Sequence, residues 1–559
     1  MAGKSTAEKL ATLQKGYTLE GATIELGAAV VDGQVHKEAP VRLPLAMMNR
    51  HGLVAGATGT GKTVTLHMMA EQLSATGVPV FLADIKGDLS GLATAAVGNP
   101  KLSERTEGIG QDWEGRTFPV EFLALGGDGA GVPVRATVTS FGPILLSRIM
   151  ELNDTQESSL QLIFHFADKN GLELTDLKDL RAVIQFLTSA EGKEQLAELG
   201  GLSKATAGVI LRELVTLEAQ GLDLFFGEPE FDTADLMRTS PDGRGIITCL
   251  ELPTLQSKPL LFSTFLMWLL ADLFEDLPEA GDLDKPKLVF FLDEAHLLFN
   301  DASKAFLAAI TTTVRLIRSK GVGIFFVTQT PKDVPAEVLG QLANRVQHAL
   351  RAFTPEDAKA LKATVSTFPL SDYDLEETLT SAGIGEAVVT VMNEKGAPTP
   401  VAHTRLRAPE SVMGPSEADV VQDIVAGSGL LARYGTAVDN RSAYEKLSKQ
   451  AAGAGAAPDP ATEDSAADMD IDAEARRIEE DILGRPSSRP APRGRPAPVP
   501  DSTPRSPSGP DRSSADDLGA VLGDALGGGL KSVARSIGTQ LGRELLRGVF
   551  GTSPRRRRR

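Results

Sequence analysis

Gly56-Ala57-Thr58-Gly59-Thr60-Gly61-Lys62-Thr63 is the stretch on which the fold turns. It matches the phosphate-binding pattern G-x-x-x-x-G-K-[ST]. Leu53-Val54-Ala55 leads in as a short apolar strand, and Val64 to Leu73 leads out with the apolar spacing of a helix. Strand, glycine loop and helix are what the chemistry requires. Glycines let backbone N–H groups turn toward phosphate oxygens, and the helix N-terminus adds its positive end. Lys62 reaches the β and γ oxygens of a nucleoside triphosphate, and the Thr63 hydroxyl suits Mg²⁺. As a loop residue, Lys62 is expected to be exposed.

Such a loop needs an acidic strand to hold the magnesium. Lys287 to Glu294 (KLVFFLDE) supplies five consecutive apolar residues that end in Asp293-Glu294, as in a buried central strand of a parallel sheet. Asp293 fits the magnesium-organising carboxylate, and Glu294 suits a general base for an attacking water. Val78 to Asp84 and Val322 to Thr328 are further strands, each ending in polar residues. Ligands of an open α/β sheet sit beyond the carboxyl ends of its strands, so these ends converge on one crevice. Gln329, just past Thr328, is placed to sense a γ-phosphate or orient water. A further strand at Gly245 to Leu252 precedes the acidic one, so strands intervene between the loop and Asp293. The class is therefore α/β: a RecA-like (ASCE) P-loop NTPase with a mostly parallel sheet. Its cofactors are ATP and Mg²⁺.

The 559 residues exceed one hydrophobic core. Hydrophobic residues make up 42% and charged residues 23%, as in an ordinary globular protein. A net charge of −17 argues against a general polycation, so contact with nucleic acid needs local basic surfaces. The single cysteine, Cys249, excludes a disulfide framework and cysteine-based metal sites, and it fits a reducing cytosol. The first residues carry no apolar core, and Leu260 to Phe274 is shorter than the ~20 residues of a membrane span. A cytoplasmic protein is expected.

The folded body is placed at roughly 15–450. Residues 1–50 read as a short β-rich segment, in which Gly16 to Leu45 offers a few short strands. The motor core runs over 51–140 and 241–450. Between them, 141–240 reads as an inserted all-α subdomain, with spacing such as Ile144/Leu145/Ile149/Leu152 and Leu160/Ile163/Phe164/Phe166. Residues 451–515 form an acidic and then Pro/Arg-rich linker, with nine prolines between Arg485 and Pro510, read as disordered. Residues 516–559 carry two amphipathic helical patterns and end in five arginines, suited to an anionic lipid surface or duplex phosphates.

Several phrases together resemble the HerA/FtsK superfamily of P-loop motors, and more closely its bacterial HerA-like branch of the YjgR type. They are Arg50 through Thr63, Asp84-Ile-Lys86-Gly87-Asp88-Leu89-Ser90-Gly91, Phe291-Leu292-Asp293-Glu294-Ala295-His296, Lys320-Gly321-Val322-Gly323 through Thr328-Gln329, and Asn344 through Thr354. The likeness covers roughly residues 15–445. It implies a hexameric ring ATPase, with members that translocate double-stranded DNA. HerA-type helicases carry an N-terminal β-barrel before the motor, whereas about 50 residues precede the loop here, enough for a reduced barrel or β-flap. Arginine fingers act across subunits and contribute ~10³–10⁵ in rate. Arg345 and Arg351 are the first choices, Arg315 and Arg318 the second.

Three functions stand side by side: a DNA-translocating motor, an ATP-dependent switch or assembly factor that moves no DNA, and a small-molecule kinase. Glu294 and the long insert disfavour the kinase. His296 either links nucleotide state to the neighbouring helix or simply starts that helix. The other histidines show no metal-ligand spacing. Trp113 and Trp268 read as packing residues.

Overall fold

The computed structural model describes residues 4–127, 129–196, 200–252, 259–300, 302 and 304–454. The linker and terminal helices expected beyond residue 454 lie outside the described residues.

Twelve strands form one sheet: β1 (Thr23–Val31), β2 (Gln34–Pro44), β3 (Gly52–Ala55), β4 (Val80–Asp84), β5 (Val120–Leu125), β6 (Val132–Val134), β7 (Ile247–Glu251), β8 (Leu288–Leu292), β9 (Val322–Thr328), β10 (Asn344–His348), β11 (Glu386–Thr390) and β12 (Ala402–Leu406). Their order is β2-β1-β12-β11-β10-β3-β9-β8-β4-β7-β5-β6. From β10 to β6 every pairing is parallel, and from β10 to β2 every pairing is antiparallel. The strand that lies between β3 and β8 in the sheet is β9, not the Gly245 to Leu252 strand (β7) expected to intervene there. β4 and β7, which also come between them in the chain, sit on the far side of β8.

The central strands are apolar throughout because both faces of the parallel sheet are covered. Along β8, Leu288, Phe290 and Leu292 enter one apolar cluster, while Val289 and Phe291 enter another. The second cluster packs the helix Lys62–Ala75 and the β1–β2 hairpin. The first packs the helices Val138–Ile149, Asp154–Lys169, Leu177–Thr188 and Lys204–Ala219, so those helices share a core with the sheet. It also takes in Pro259–Asp276, a helix apolar enough to be buried on all sides, with Trp268 fully enclosed. Among the described residues, no helix is long and apolar enough to cross a membrane.

At the N-terminus the structure departs from expectation. An ordered helix, Thr6–Gly16, begins before residue 15 and is capped by Ser5 and Glu8 bonding reciprocally. Its hydrophobic face is slight, so periodicity gives little sign of it. The strands that follow are two long ones rather than several short ones. They join the main sheet through the β1–β12 pairing instead of closing on themselves.

Candidate nucleotide-binding site

The glycine loop is pinned on both flanks. Gly56 N–H donates to the Thr328 carbonyl at the end of β9 (3.2 Å), and Ala57 N–H donates to the Ala349 carbonyl just past β10 (2.8 Å). A Cβ on Gly56 would collide with Cβ of His348, and Gly61 sits at φ +110°, where a side chain is strained. Lys62 is 8% exposed, which corrects the expectation of an exposed lysine. Its ammonium donates to the carbonyls of Gly56 (2.8 Å) and Ala57 (3.3 Å), bracing the loop from inside. Burial lowers the Lys62 pKa, while Glu294 and Asp293 pull it back up. Thr63 is half-buried at the start of the helix. Thr58 and Gly59 form the exposed crest of the loop, and Thr60 is buried with its hydroxyl on the Ala57 carbonyl (2.7 Å).

Asp293 and Glu294 leave β8 at its carboxyl end, and both are buried. Asp293 accepts the Glu294 N–H at 2.9 Å, and desolvation pushes its pKa up to about 6. A carboxylate buried in this way favours a cation beside it. Among the described residues, no three His, Cys, Asp or Glu side chains gather into a metal-binding group. Thr63 and Asp293 each carry the hard oxygen donor that suits Mg²⁺, a cation that keeps several waters and takes other ligands from substrate phosphates. Glu294 sits at φ +45°, unusual for a residue other than glycine and a common mark of a functional position. One of its oxygens accepts from the Lys86 ammonium, and the other lies 3.2 Å from Nδ1 of His296 without hydrogen-bond geometry. Glu294 is burdened by desolvation, yet Lys86 holds its pKa below the usual value; the Lys86 pKa is raised despite burial.

Gln329 is exposed one residue past β9, the strand between the loop strand and the acidic strand. Arg351 is exposed two residues beyond Ala349, on the same side of the sheet as the loop. Arg345 lies elsewhere: it pairs with Leu53 toward the amino end of β10, is half-buried, and donates to the Thr367 hydroxyl. Arg315 and Arg318 are exposed on the helix and turn that precede β9 at its amino end.

Two residues gain roles that the sequence did not reveal. Lys86 contacts Glu294 across 208 positions of chain, and His348 lies beneath the loop. Nδ1 of His348 is 3.1 Å from the Thr60 carbonyl, and Nε2 is 2.9 Å from the Thr65 hydroxyl. A carbonyl only accepts, so Nδ1 carries the proton and Nε2 accepts from Thr65. Burial lowers the His348 pKa to about 4, keeping the ring neutral. The phrases that carry the resemblance contain both residues but assign neither a partner. Cys249 is buried on β7, its thiol pKa raised by desolvation, and Trp113 donates to the Pro409 carbonyl at 2.7 Å.

A family model described as "Helicase HerA-like C-terminal" matches residues 30–559. The DNA double-strand break repair helicase HerA of Saccharolobus solfataricus is 23% identical over 374 residues, covering 64% of this chain. The match spans 66% of that relative's own length, just under two thirds. Among solved structures, VirB4 of Thermoanaerobacter pseudethanolicus is 16% identical, with a TM-score of 0.46 over 70% of this chain and 97% of its own. The bacterial conjugative coupling protein TrwBdeltaN70, in an unbound monoclinic form, is 14% identical, with a TM-score of 0.48 over 74% of this chain and 95% of its own.

Proposed function

We propose a function from one premise: this chain belongs to the family of helicase HerA-like C-terminal proteins. It is an ATP-hydrolysing ring motor that translocates double-stranded DNA, working as a homo-hexamer in the cytoplasm. The observation that carries this reading is the placement of Asp293-Glu294 at the carboxyl end of β8, one strand away from the loop strand β3. Lys62 feels the charge of Glu294 across that gap, and a water would sit between a γ-phosphate held at Lys62 and the Glu294 carboxylate.

Gly56 to Thr63 cradle the phosphates of ATP through backbone N–H groups, and Lys62 moves its ammonium from the loop carbonyls to the β and γ oxygens. Thr63 and Asp293 would hold Mg²⁺, which neutralises charge developing on the phosphates. Gln329 orients the attacking water. Its oxygen bonds to the γ-phosphorus as the bond to the β–γ bridging oxygen breaks, and ADP leaves with that electron pair. Glu294 takes the water's proton. Arg351 of a neighbouring subunit stabilises the charge on the transferring group, with Arg345 as a second candidate. Residues 516–559, which end in five arginines, would add a basic contact to DNA or anionic lipid.

The test is ATP turnover by the purified full chain with and without linear duplex DNA, in low and moderate salt. A motor should turn over severalfold faster with duplex, and less so as salt rises. Steady hydrolysis indifferent to DNA would favour the switch or assembly factor instead.

A further inference from the structure

Lys86 stands outside the phosphate chemistry set out above, yet its ammonium occupies the carboxylate that hydrolysis requires. The contact follows from sheet order. β4 and β8 are neighbours, with Ala83 opposite Leu292, so the residues that follow each strand leave the sheet side by side. The turn after β4 is fixed by Asp84, whose carboxylate accepts the N–H groups of Gly87 (2.7 Å) and Leu89 (2.9 Å). Lys86 therefore projects from an anchored turn.

The two partners differ in freedom. The Lys86 side chain is 47% exposed, whereas that of Glu294 is 10% exposed. If the pair opens, the lysine moves. Lys62 is braced by two loop carbonyls and lies close enough to Asp293, Glu294 and Lys86 to feel all three charges. A γ-phosphate entering beside Glu294 would present more negative charge to Lys86 than one carboxylate does.

We propose that Lys86 is a γ-phosphate-responsive clamp, which holds Glu294 until ATP enters and then transfers its ammonium to the γ-phosphate, releasing the carboxylate for the water. Because ADP lacks that phosphate, the clamp tells ATP from ADP and keeps the base occupied between cycles. The proposal rests on the ATPase reading above and adds a binding role for a residue outside the loop.

The experiment measures the affinity of the full chain for ADP and for a non-hydrolysable ATP analogue, both with Mg²⁺. The forms compared are wild type, Lys86→Met, Lys86→Arg, Glu294→Gln and the double variant Lys86→Met/Glu294→Gln. The Met variant should bind the analogue about tenfold more weakly, with ADP changed less than about twofold, and Arg should restore most of the difference. Glu294→Gln frees the ammonium and should tighten the analogue, a gain that disappears in the double variant. Equal weakening of both nucleotides would show that Lys86 only shapes the turn, and no change would show that it never reaches the phosphate; either overturns the clamp. A wild-type chain that binds neither nucleotide overturns the ATPase reading instead. Lys86 is half-exposed, so the Met variant should fold; if it does not, Lys86→Gln takes its place in the same comparison.

Discussion

From its buried position Lys62 braces the loop through Gly56 and Ala57, and in the proposed mechanism it is also the cation that meets the phosphates. Lys62→Ala should therefore affect more than binding. Nucleotide affinity should fall at least tenfold, and the loss of a donor to one buried and one part-buried carbonyl should lower stability by about 1–2 kcal/mol. Titration with a fluorescent nucleotide and a denaturant melt measure the two effects separately. Unchanged affinity would remove Lys62 from the site, and an unchanged melt would mean that water replaces the ammonium. The sequence pattern singles out Lys62 by type and spacing. Its burial was not legible, because the loop folds back over its own lysine only when β9 and β10 hold its start.

At the scale of elements, the loop helix is tied to β10 through His348, and that tie is sensitive to acid. The folded chain keeps the ring neutral down to about pH 4, while an unfolded histidine takes up a proton near pH 6.5. As pH falls from 6.5 toward 4, the unfolded state binds the proton first, so His348 costs stability as the solution is acidified. Its share should reach about 2 kcal/mol by pH 5. His348→Gln removes that share, so its denaturant stability should fall less steeply between pH 7 and 5 than that of the wild type. Parallel slopes would mean that the ring titrates normally in the folded chain. The strands and the loop helix are legible in the sequence because two buried faces demand unbroken apolar runs, and the helix demands its own period. The His348 tie is not, because 283 positions separate it from Thr65.

For the whole molecule, the proposed ring raises the question of which arginine would complete a neighbour's site. Arg351 is exposed just past the carboxyl end of β10, whereas Arg345 is engaged with Thr367 toward the other end of that strand. We expect Lys62→Ala and Arg351→Ala chains each to be inactive alone. Mixed in equal amounts, they should regain activity at about a quarter of the sites, where an intact loop meets an intact neighbour. The corresponding mixture with Arg345→Ala should not recover in this way. Failure of the Arg351 mixture would place that arginine's effect within its own subunit.

The sequence by itself determined the class of fold and the chemistry of its centre. A glycine loop ending in Gly-Lys-Thr between an apolar strand and a helix reads as a triphosphate cradle, and a wholly apolar strand ending in two carboxylates reads as its counterpart. These signals are local: each lies within about a dozen consecutive residues, where spacing and residue type suffice. Strand order was decided only in the tertiary structure. It set β9 between β3 and β8, joined the N-terminal hairpin to the sheet through β12, and placed β4 beside β8 so that Lys86 meets Glu294. Pairings between distant strands depend on how two buried faces are filled at once, and no window along the chain contains that information.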